Sequence, residues 1–150
     1  MTKSSNPVKR ELNLRIILIQ PPPDVDYALL QGHGSRFQPI QIRRSNGNDL
    51  RFDFTIEVSL KSNSLAFAGP FVQGPADDRF VYIGVGTFAA QSGPWNRRLK
   101  IPLSGIAPQM IESAGILQAT LPGTAKDGTP SCAYAWRKSV APSWNWKVLR

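Results

Sequence analysis

The sequence predicts a mainly β domain, either an antiparallel β-sandwich or a flattened β-barrel with one short α-helix. Apolar and polar residues alternate without interruption from Leu50 to Leu60, which is the period of a strand with one buried face. Other short apolar segments follow one another between turns rich in proline and glycine. Strands at such spacing are typical of sandwiches and barrels, and one segment has a helical pattern.

The alternating segment gives the most specific expectation for the core. One face of this strand would be buried, and it consists of Leu50, Phe52, Phe54, Ile56, Val58 and Leu60. The preceding Asn46-Gly47 pair favours positive φ, as hairpin turns do. It predicts that residues 37–43 form the neighbouring strand, with Phe37, Ile40 and Ile42 near the core. Pro39 within that segment predicts an edge strand or a bulge.

Further strands are expected where β-branched and aromatic residues cluster. The segment at 12–19 ends at three consecutive prolines, which lack backbone donors, and the segment at 79–88 is expected in the centre of a sheet. Shorter strands are predicted at 98–103, 116–121, 131–136 and 144–149. The helix is expected between Ser104 and Ala114, with Gly115 ending it.

Length and composition exclude several classes of protein. A chain of 150 residues with 41% hydrophobic residues suits one domain over 1–150, with residues 1–11 as a flexible N-terminal segment. A single Cys132 excludes an internal disulfide, and a single His33 without a cysteine partner excludes the usual zinc ligand sets. No apolar run is long enough for a membrane helix, and the N-terminal residues do not resemble a secretory signal. We therefore expect a cytoplasmic location, with no membrane partner.

The net charge of +8 is unevenly distributed. The surplus lies in the two terminal segments and in the cluster Arg97, Arg98 and Lys100. Tryptophans alternate with basic residues in the C-terminal segment, a composition that would suit nucleic acid or an acidic protein partner. The alternative is that these tryptophans are core residues of the last strand and the basic residues lie at the surface.

Three segments resemble those of a family of small bacterial proteins of unknown function. They read PPPDVD from Pro21, GPFVQGPADDRFVYI from Gly69, and WNRRLKIPL from Trp95. The resemblance extends over roughly residues 14 to 106. It implies one small domain, and it implies no substrate, mechanism or catalytic residue.

The residues themselves give a candidate ligand site. If residues 79–88 and 98–103 are neighbours in a hairpin, one group of side chains meets another across it: Asp78, Arg79 and Tyr82 opposite Trp95, Arg97, Arg98 and Lys100. Arginine forks beside an aromatic wall suit planar anions such as carboxylates and phosphates. The alternative is a ladder of surface ion pairs, which would stabilise the fold little.

Two side-chain placements follow from the same patterns. Leu99 and Ile101 should face the core, so Arg97 would share their face and bond to Asp78, while Arg98 and Lys100 would be solvated. The segment between Gly69-Pro70 and Gly74-Pro75 should place Phe71 over one end of the core and direct Gln73 outward.

The favoured function is therefore a non-enzymatic binding module for a small or anionic ligand, without cofactor or metal. A basic interaction protein for nucleic acid or an acidic partner is the second hypothesis. A third is an enzyme that uses one of two aspartate pairs, Asp24 with Asp26 or Asp77 with Asp78. Because glycines flank His33, we expect it in an exposed loop rather than in a catalytic triad.

Overall fold

The computed structural model describes residues 8–33, 36–61, 64–86, 97–113, 115–122 and 146–149. This part of the chain contains nine strands and one helix. In chain order they are β1 (Val8–Ile19), β2 (Asp26–His33), β3 (Arg36–Arg44), β4 (Leu50–Lys61), β5 (Ser64–Ala68), β6 (Phe80–Gly86), β7 (Arg97–Pro102), α1 (Pro108–Ser113), β8 (Ile116–Pro122) and β9 (Lys147–Leu149).

The strands form two open sheets, which confirms the predicted sandwich and excludes a closed barrel over the described residues. The first sheet has the order β5-β4-β1-β8-β9, and the second has the order β3-β2-β6-β7. The predicted antiparallel arrangement has one exception, because β1 pairs with β8 in parallel. A parallel pair needs a long crossover connection. Here the chain passes through β2 to β7 and α1 before it returns.

The inner faces of both sheets share one hydrophobic core. The first sheet contributes alternate residues of β1 and β4, and the second contributes residues of β2, β6 and β7. The predicted β4 stripe is confirmed, with Phe52 0%, Phe54 7%, Ile56 3% and Val58 2% exposed. At its two ends Leu50 is only partly buried and Leu60 is 39% exposed. Strict alternation thus identified the buried face of β4 correctly, and the two end positions of that face lie at the border of the core.

The predicted hairpin between 37–43 and β4 is wrong, because β3 lies in the second sheet and β4 in the first. Gly47 does have a positive φ of 91°. However, Ser45 hydrogen-bonds through its backbone to Asp24 and Val25, and its hydroxyl donates to the carbonyl of Pro21 at 2.8 Å. These bonds hold the end of β3 against the proline-rich segment, and the loop crosses between the sheets.

β3 is an edge strand, as Pro39 predicted. Its register against β2 shifts, and Gln41 has a φ of 56°, so the strand is irregular at this point. The expectation that Phe37 and Ile42 lie near the main core is wrong. Phe37 pairs with Gly32 on the outer face, and Ile42 is 41% exposed. The irregularity lies between Ile40 and Arg43, so it bears on the face of Ile42. Phe37 is three residues from Ile40 in the regular part of the strand and therefore lies on the opposite face.

Other boundaries also differ from the expectations. β2 and β5 were not predicted, and His33 ends a strand rather than lying in an exposed loop. β1 begins at Val8, so the last residues of the expected flexible segment belong to a strand. The helix has six residues, shorter than the predicted range. The strand expected at 131–136 lies outside the described residues.

Candidate functional site

Three aromatic rings and two cations lie together on the outer face of the second sheet. We call Phe37, Phe80, Tyr82, Arg98 and Lys100 the aromatic face. The ring centroids of Phe37 and Tyr82 are 5.4 Å apart, and those of Tyr82 and Phe80 are 4.8 Å apart, both edge to face. The rings therefore form a continuous row that begins on β3 and continues along β6.

The guanidinium of Arg98 lies over two of these rings. Its central carbon is 4.5 Å from the centroid of Phe37 and 4.9 Å from that of Tyr82. Both distances are within the range of a cation–π interaction. The side chain is half-buried, so the expectation that Arg98 is simply solvated is wrong. These two aromatic contacts hold the guanidinium against the outer face of the second sheet.

Small residues beside Arg98 explain how it reaches β3. In the strand register, Arg98 on β7 is opposite Gly84 on β6, and Gly84 is opposite Ala28 on β2. No side chain at Gly84 separates Arg98 from the middle of the sheet. The arginine can therefore extend across β6 towards Phe37, which a larger residue at this position would prevent.

Lys100 occupies the next outward position of β7. Its ammonium nitrogen is 4.4 Å from the centroid of Phe80 and 3.6 Å from Oδ2 of Asp78. Both partners of this ion pair are about half exposed, at 46% for Lys100 and 55% for Asp78. An exposed pair of this kind contributes little to stability. Its effect is to keep one carboxylate and one ammonium at the rim of the aromatic face.

The floor of this face is apolar and closed. Ala28 and Leu30 are 0% exposed and form a small second core with Phe37 and Tyr82. Both project from the outer side of β2, opposite in direction to Tyr27 and Leu29. These buried apolar side chains give the rings of Phe37 and Tyr82 a dry base.

The segment between the two Gly-Pro steps supports one end of the face. Gln73 pairs through its backbone with Phe80, and the amide of Gly32 donates to the carbonyl of Pro70. Gln73 does not point outward as predicted. Its side chain lies where a Cβ on Gly32 would be, at 2.5 Å, and its amide nitrogen is buried without a hydrogen bond among the described residues.

The other expectation for this segment is supported. Phe71 is partly buried and packs against the main core, with its ring centroid 5.5 Å from that of Phe54. Phe71 thus covers the inner side at this end, while Phe80 borders the outer side. The segment therefore packs against both the inner and the outer face of the second sheet at this end.

The structure brings together some of the predicted site residues. Tyr82 and Arg98 are in contact, and Asp78 lies beside Lys100 at the same face. Arg79 donates instead to the carbonyl of Gly74. Trp95 and the side chain of Arg97 lie outside the described residues, so the pair of Arg97 with Asp78 stays a prediction. The backbone of Arg97 is opposite Val85, in phase with Leu99 and Ile101.

Phe37 and Phe80 were missing from the predicted site. Phe80 was detectable, since alternation along β6 places it on the same face as Tyr82. Phe37 was not, because the partner strand β2 was not predicted. Phe37 is three residues from Ile40, so the two lie on opposite faces of β3, with Ile40 opposite Leu29 and Phe37 opposite Gly32.

The aspartate pairs considered for catalysis have different environments. Asp26 is 4% exposed, and its Oδ1 is 3.2 Å from Nε of Arg44. Asp24 is exposed with a φ of 63°, and Asp77 and Asp78 are both exposed. Within the described residues no group of three or more His, Cys, Asp and Glu side chains has the arrangement of a metal site.

The C-terminal segment contributes a core residue. Trp146 is 6% exposed and belongs to the main core, as the alternative interpretation of the tryptophans proposed. Trp136 and Trp144 lie outside the described residues. No helix in the described part of the chain is long and apolar enough to span a membrane.

A family profile for proteins of unknown function, DUF5990, matches residues 12–148. The chain belongs to this family. The DUF5990 match extends well beyond residue 106, where the resemblance seen in the sequence ended, and it includes the β8 strand that pairs with β1. Searches found no match among curated proteins and none among solved structures.

Proposed function

We propose that this DUF5990 protein is a binding module for a small anion that carries a planar group, and that the aromatic face is its site. The observation that supports this best is the position of Arg98 over Phe37 and Tyr82. The planes of these two rings are 83° apart, so the guanidinium can lie flat on at most one of them. Its N–H donors lie in its own plane, where they suit carboxylate or phosphate oxygens.

Charge and shape at the rim favour the same class of ligand. Lys100 provides a second cation, and Asp78 beside it limits the net positive charge to which a ligand is exposed. A ligand with one anionic group and a flat body would bond to Arg98 and lie against the exposed edges of the rings. Nothing in this arrangement requires a chemical step, so we propose binding without catalysis.

A nucleic-acid interface is the second candidate, because stacked aromatics beside cations on a sheet surface are also used to bind single strands. The net charge of +8 favours it. The positions of the cations oppose it, since Arg98 and Lys100 lie over the ring faces on which bases would stack. We therefore rank a small anion first and propose a cytoplasmic location for its binding.

Thermal-shift and calorimetric titrations with aromatic carboxylates and nucleoside monophosphates test the proposal. We expect a saturable stabilisation that Arg98→Ala weakens by about tenfold or more in Kd, the scale of one charged hydrogen bond. Arg98→Lys should recover it only in part, because lysine lacks the planar fork. Arg51→Ala, an exposed arginine in the first sheet, is the matched control.

Two results would count against this function. Equal affinity in the Arg98→Ala and Arg51→Ala variants would remove the site from the aromatic face. Tight binding of single-stranded oligonucleotides, with an affinity that falls steeply as salt is raised, would favour the nucleic-acid candidate.

A further inference from the structure

The outer edge of the first sheet at β5 carries none of the features that usually prevent strands from pairing between molecules. Its sequence is Ser-Leu-Ala-Phe-Ala, without charge or proline. One side of the strand pairs with β4 in regular register, and the other side has no hydrogen-bond partner among the described residues. Natural proteins usually protect such an edge with lysine, proline or a bulge.

The other three sheet edges are protected in this way. β3 contains Pro39, and the backbone of Gln41 in the same strand has a positive φ. β7 contains Lys100 and Pro102, and β9 is three residues long and begins with Lys147. The contrast between β5 and these edges singles out β5 as the one described edge that is open to a further strand.

A groove runs along the inner side of β5. Its cavity of about 440 Å³ is lined by Leu65 and Phe67 of the strand, by Ile106 and Pro108, and by Asp77 and Arg79 at the rim. Leu65 is only half-buried, although it points to the inner face. An added strand would bond to the side of β5 that has no partner among the described residues, and its inward side chains would enter this groove.

We infer that a second copy of this chain occupies the edge, with the two β5 strands antiparallel about a two-fold axis at Ala66. In this register Leu65 is opposite the partner's Phe67, and Ala66 is opposite the partner's Ala66. Both five-stranded sheets join into one continuous sheet. Isologous two-fold interfaces of this kind are the commonest among soluble oligomers.

The chemistry of the edge favours a second copy over a foreign peptide. Cross-strand apolar pairs stabilise a sheet, and an antiparallel second β5 would set Leu65 against the partner's Phe67. Its outward residues, Ser64, Ala66 and Ala68, are small. The rim of the groove has one aspartate and one arginine, so two rims related by a two-fold axis meet without an excess of either sign. This inference is independent of the ligand site proposed above.

Sedimentation velocity and light scattering of the full chain test the inference directly. We expect a concentration-dependent dimer, strengthened by salt because each copy carries a net charge of +8. Ala66→Lys should dissociate it, since two like charges would face each other at the axis, and Ala66→Glu should do the same. Ala66 is exposed, so both variants should keep the circular dichroism spectrum and melting temperature of a folded protein.

Mixing the two variants is the decisive measurement. Lysine opposite glutamate should restore a heterodimer, whereas Thr55→Lys, an exposed position on a central strand of the same sheet, should leave the parent dimer intact. A chain that is monomeric at the highest soluble concentration overturns the inference and leaves β5 to an extended peptide of another protein. A dimer that survives both Ala66 variants, or variants that do not recombine, also overturns it.

Discussion

The indole Nε1–H of Trp146 donates a hydrogen bond of 2.9 Å to the carbonyl of Pro102. Trp146 immediately precedes β9 in the first sheet, and Pro102 ends β7 in the second. The bond therefore joins the two layers of the sandwich. It also explains how the largest apolar side chain can be almost fully buried, since its one polar atom has a partner.

Truncation of Trp146 should destabilise the sandwich strongly. We expect Trp146→Ala to lower the free energy of unfolding by about 3–5 kcal/mol, as core aromatic truncations do. Trp146→Phe should cost less, because it keeps an aromatic ring in the core, although it loses the hydrogen bond to Pro102 and part of the buried ring volume. Urea denaturation followed by circular dichroism measures both. Equal costs for the two variants would contradict this account.

Phe54 and Phe71 should stabilise the fold together. Phe54 is 7% exposed, and the two rings are in edge-to-face contact. Phe54→Ala should cost about 3–5 kcal/mol. In a double-mutant cycle with Phe71→Ala, the coupling should be about 0.5–1.5 kcal/mol, the usual range for an aromatic pair. A cost below about 1 kcal/mol for Phe54→Ala would contradict the assigned register of β4.

Fold class and the main core were predictable, because both depend on local alternation. Phe52, Phe54, Ile56 and Val58 are buried as the period of two required. The pairing of the strands was harder to predict from the sequence. The Asn46-Gly47 turn indicates a tight reversal, but the side chain of Ser45 bonds to Pro21, which is distant in the sequence. Local turn chemistry does not contain that contact, so the crossover between sheets was missed.

The candidate site was predictable only where it lies on regular strands. Tyr82 and Arg98 follow from alternation along β6 and β7, and their contact follows from the hairpin. Phe37 reaches this face because β3 pairs with β2, and β2 was not predicted. Gly84 gave a partial signal: glycine in a strand often marks a close approach, and here Arg98 is its partner.

Two glycines with similar backbone conformation should respond differently to alanine. Gly47 and Gly74 have φ values of 91° and 89°. A Cβ on Gly47 would meet nothing within 4 Å, so Gly47→Ala should cost about 1–2 kcal/mol from backbone strain alone. A Cβ on Gly74 would lie 2.5 Å from the carbonyl oxygen of Asp78 and from the ring of Phe80.

Gly74→Ala should therefore cost clearly more than Gly47→Ala, because the backbone at Asp78 cannot move away as a flexible side chain would. It should also disturb the aromatic face, which Phe80 borders. Urea denaturation measures the loss of stability in each variant. Near-ultraviolet circular dichroism, which reports on the packing of Tyr82 and its neighbours, measures the disturbance of the aromatic face. If both glycine variants lose the same stability, the tight packing of Gly74 is not important for the fold.

Two aspartates that each pair with an arginine should differ in their contribution to stability because they differ in burial. The side chain of Asp26 is 6% exposed beside Arg44, whereas that of Asp53 is 46% exposed and pairs with Arg15 at 2.8 Å and with Arg51 at 3.2 Å. Asp26→Asn removes a buried charge that Arg44 neutralises, and we expect a loss of about 1–3 kcal/mol. Asp53→Asn removes two solvent-screened ion pairs and should still cost less than about 1 kcal/mol. Asparagine keeps the side-chain volume in both variants, so the difference in unfolding free energy at neutral pH reports the charge.

Raising the salt concentration should reduce the cost of Asp53→Asn more than that of Asp26→Asn, because only the exposed ion pairs are effectively screened. A loss at Asp26 no greater than that at Asp53 would show that its pair with Arg44 does not stabilise the link between β2 and β3.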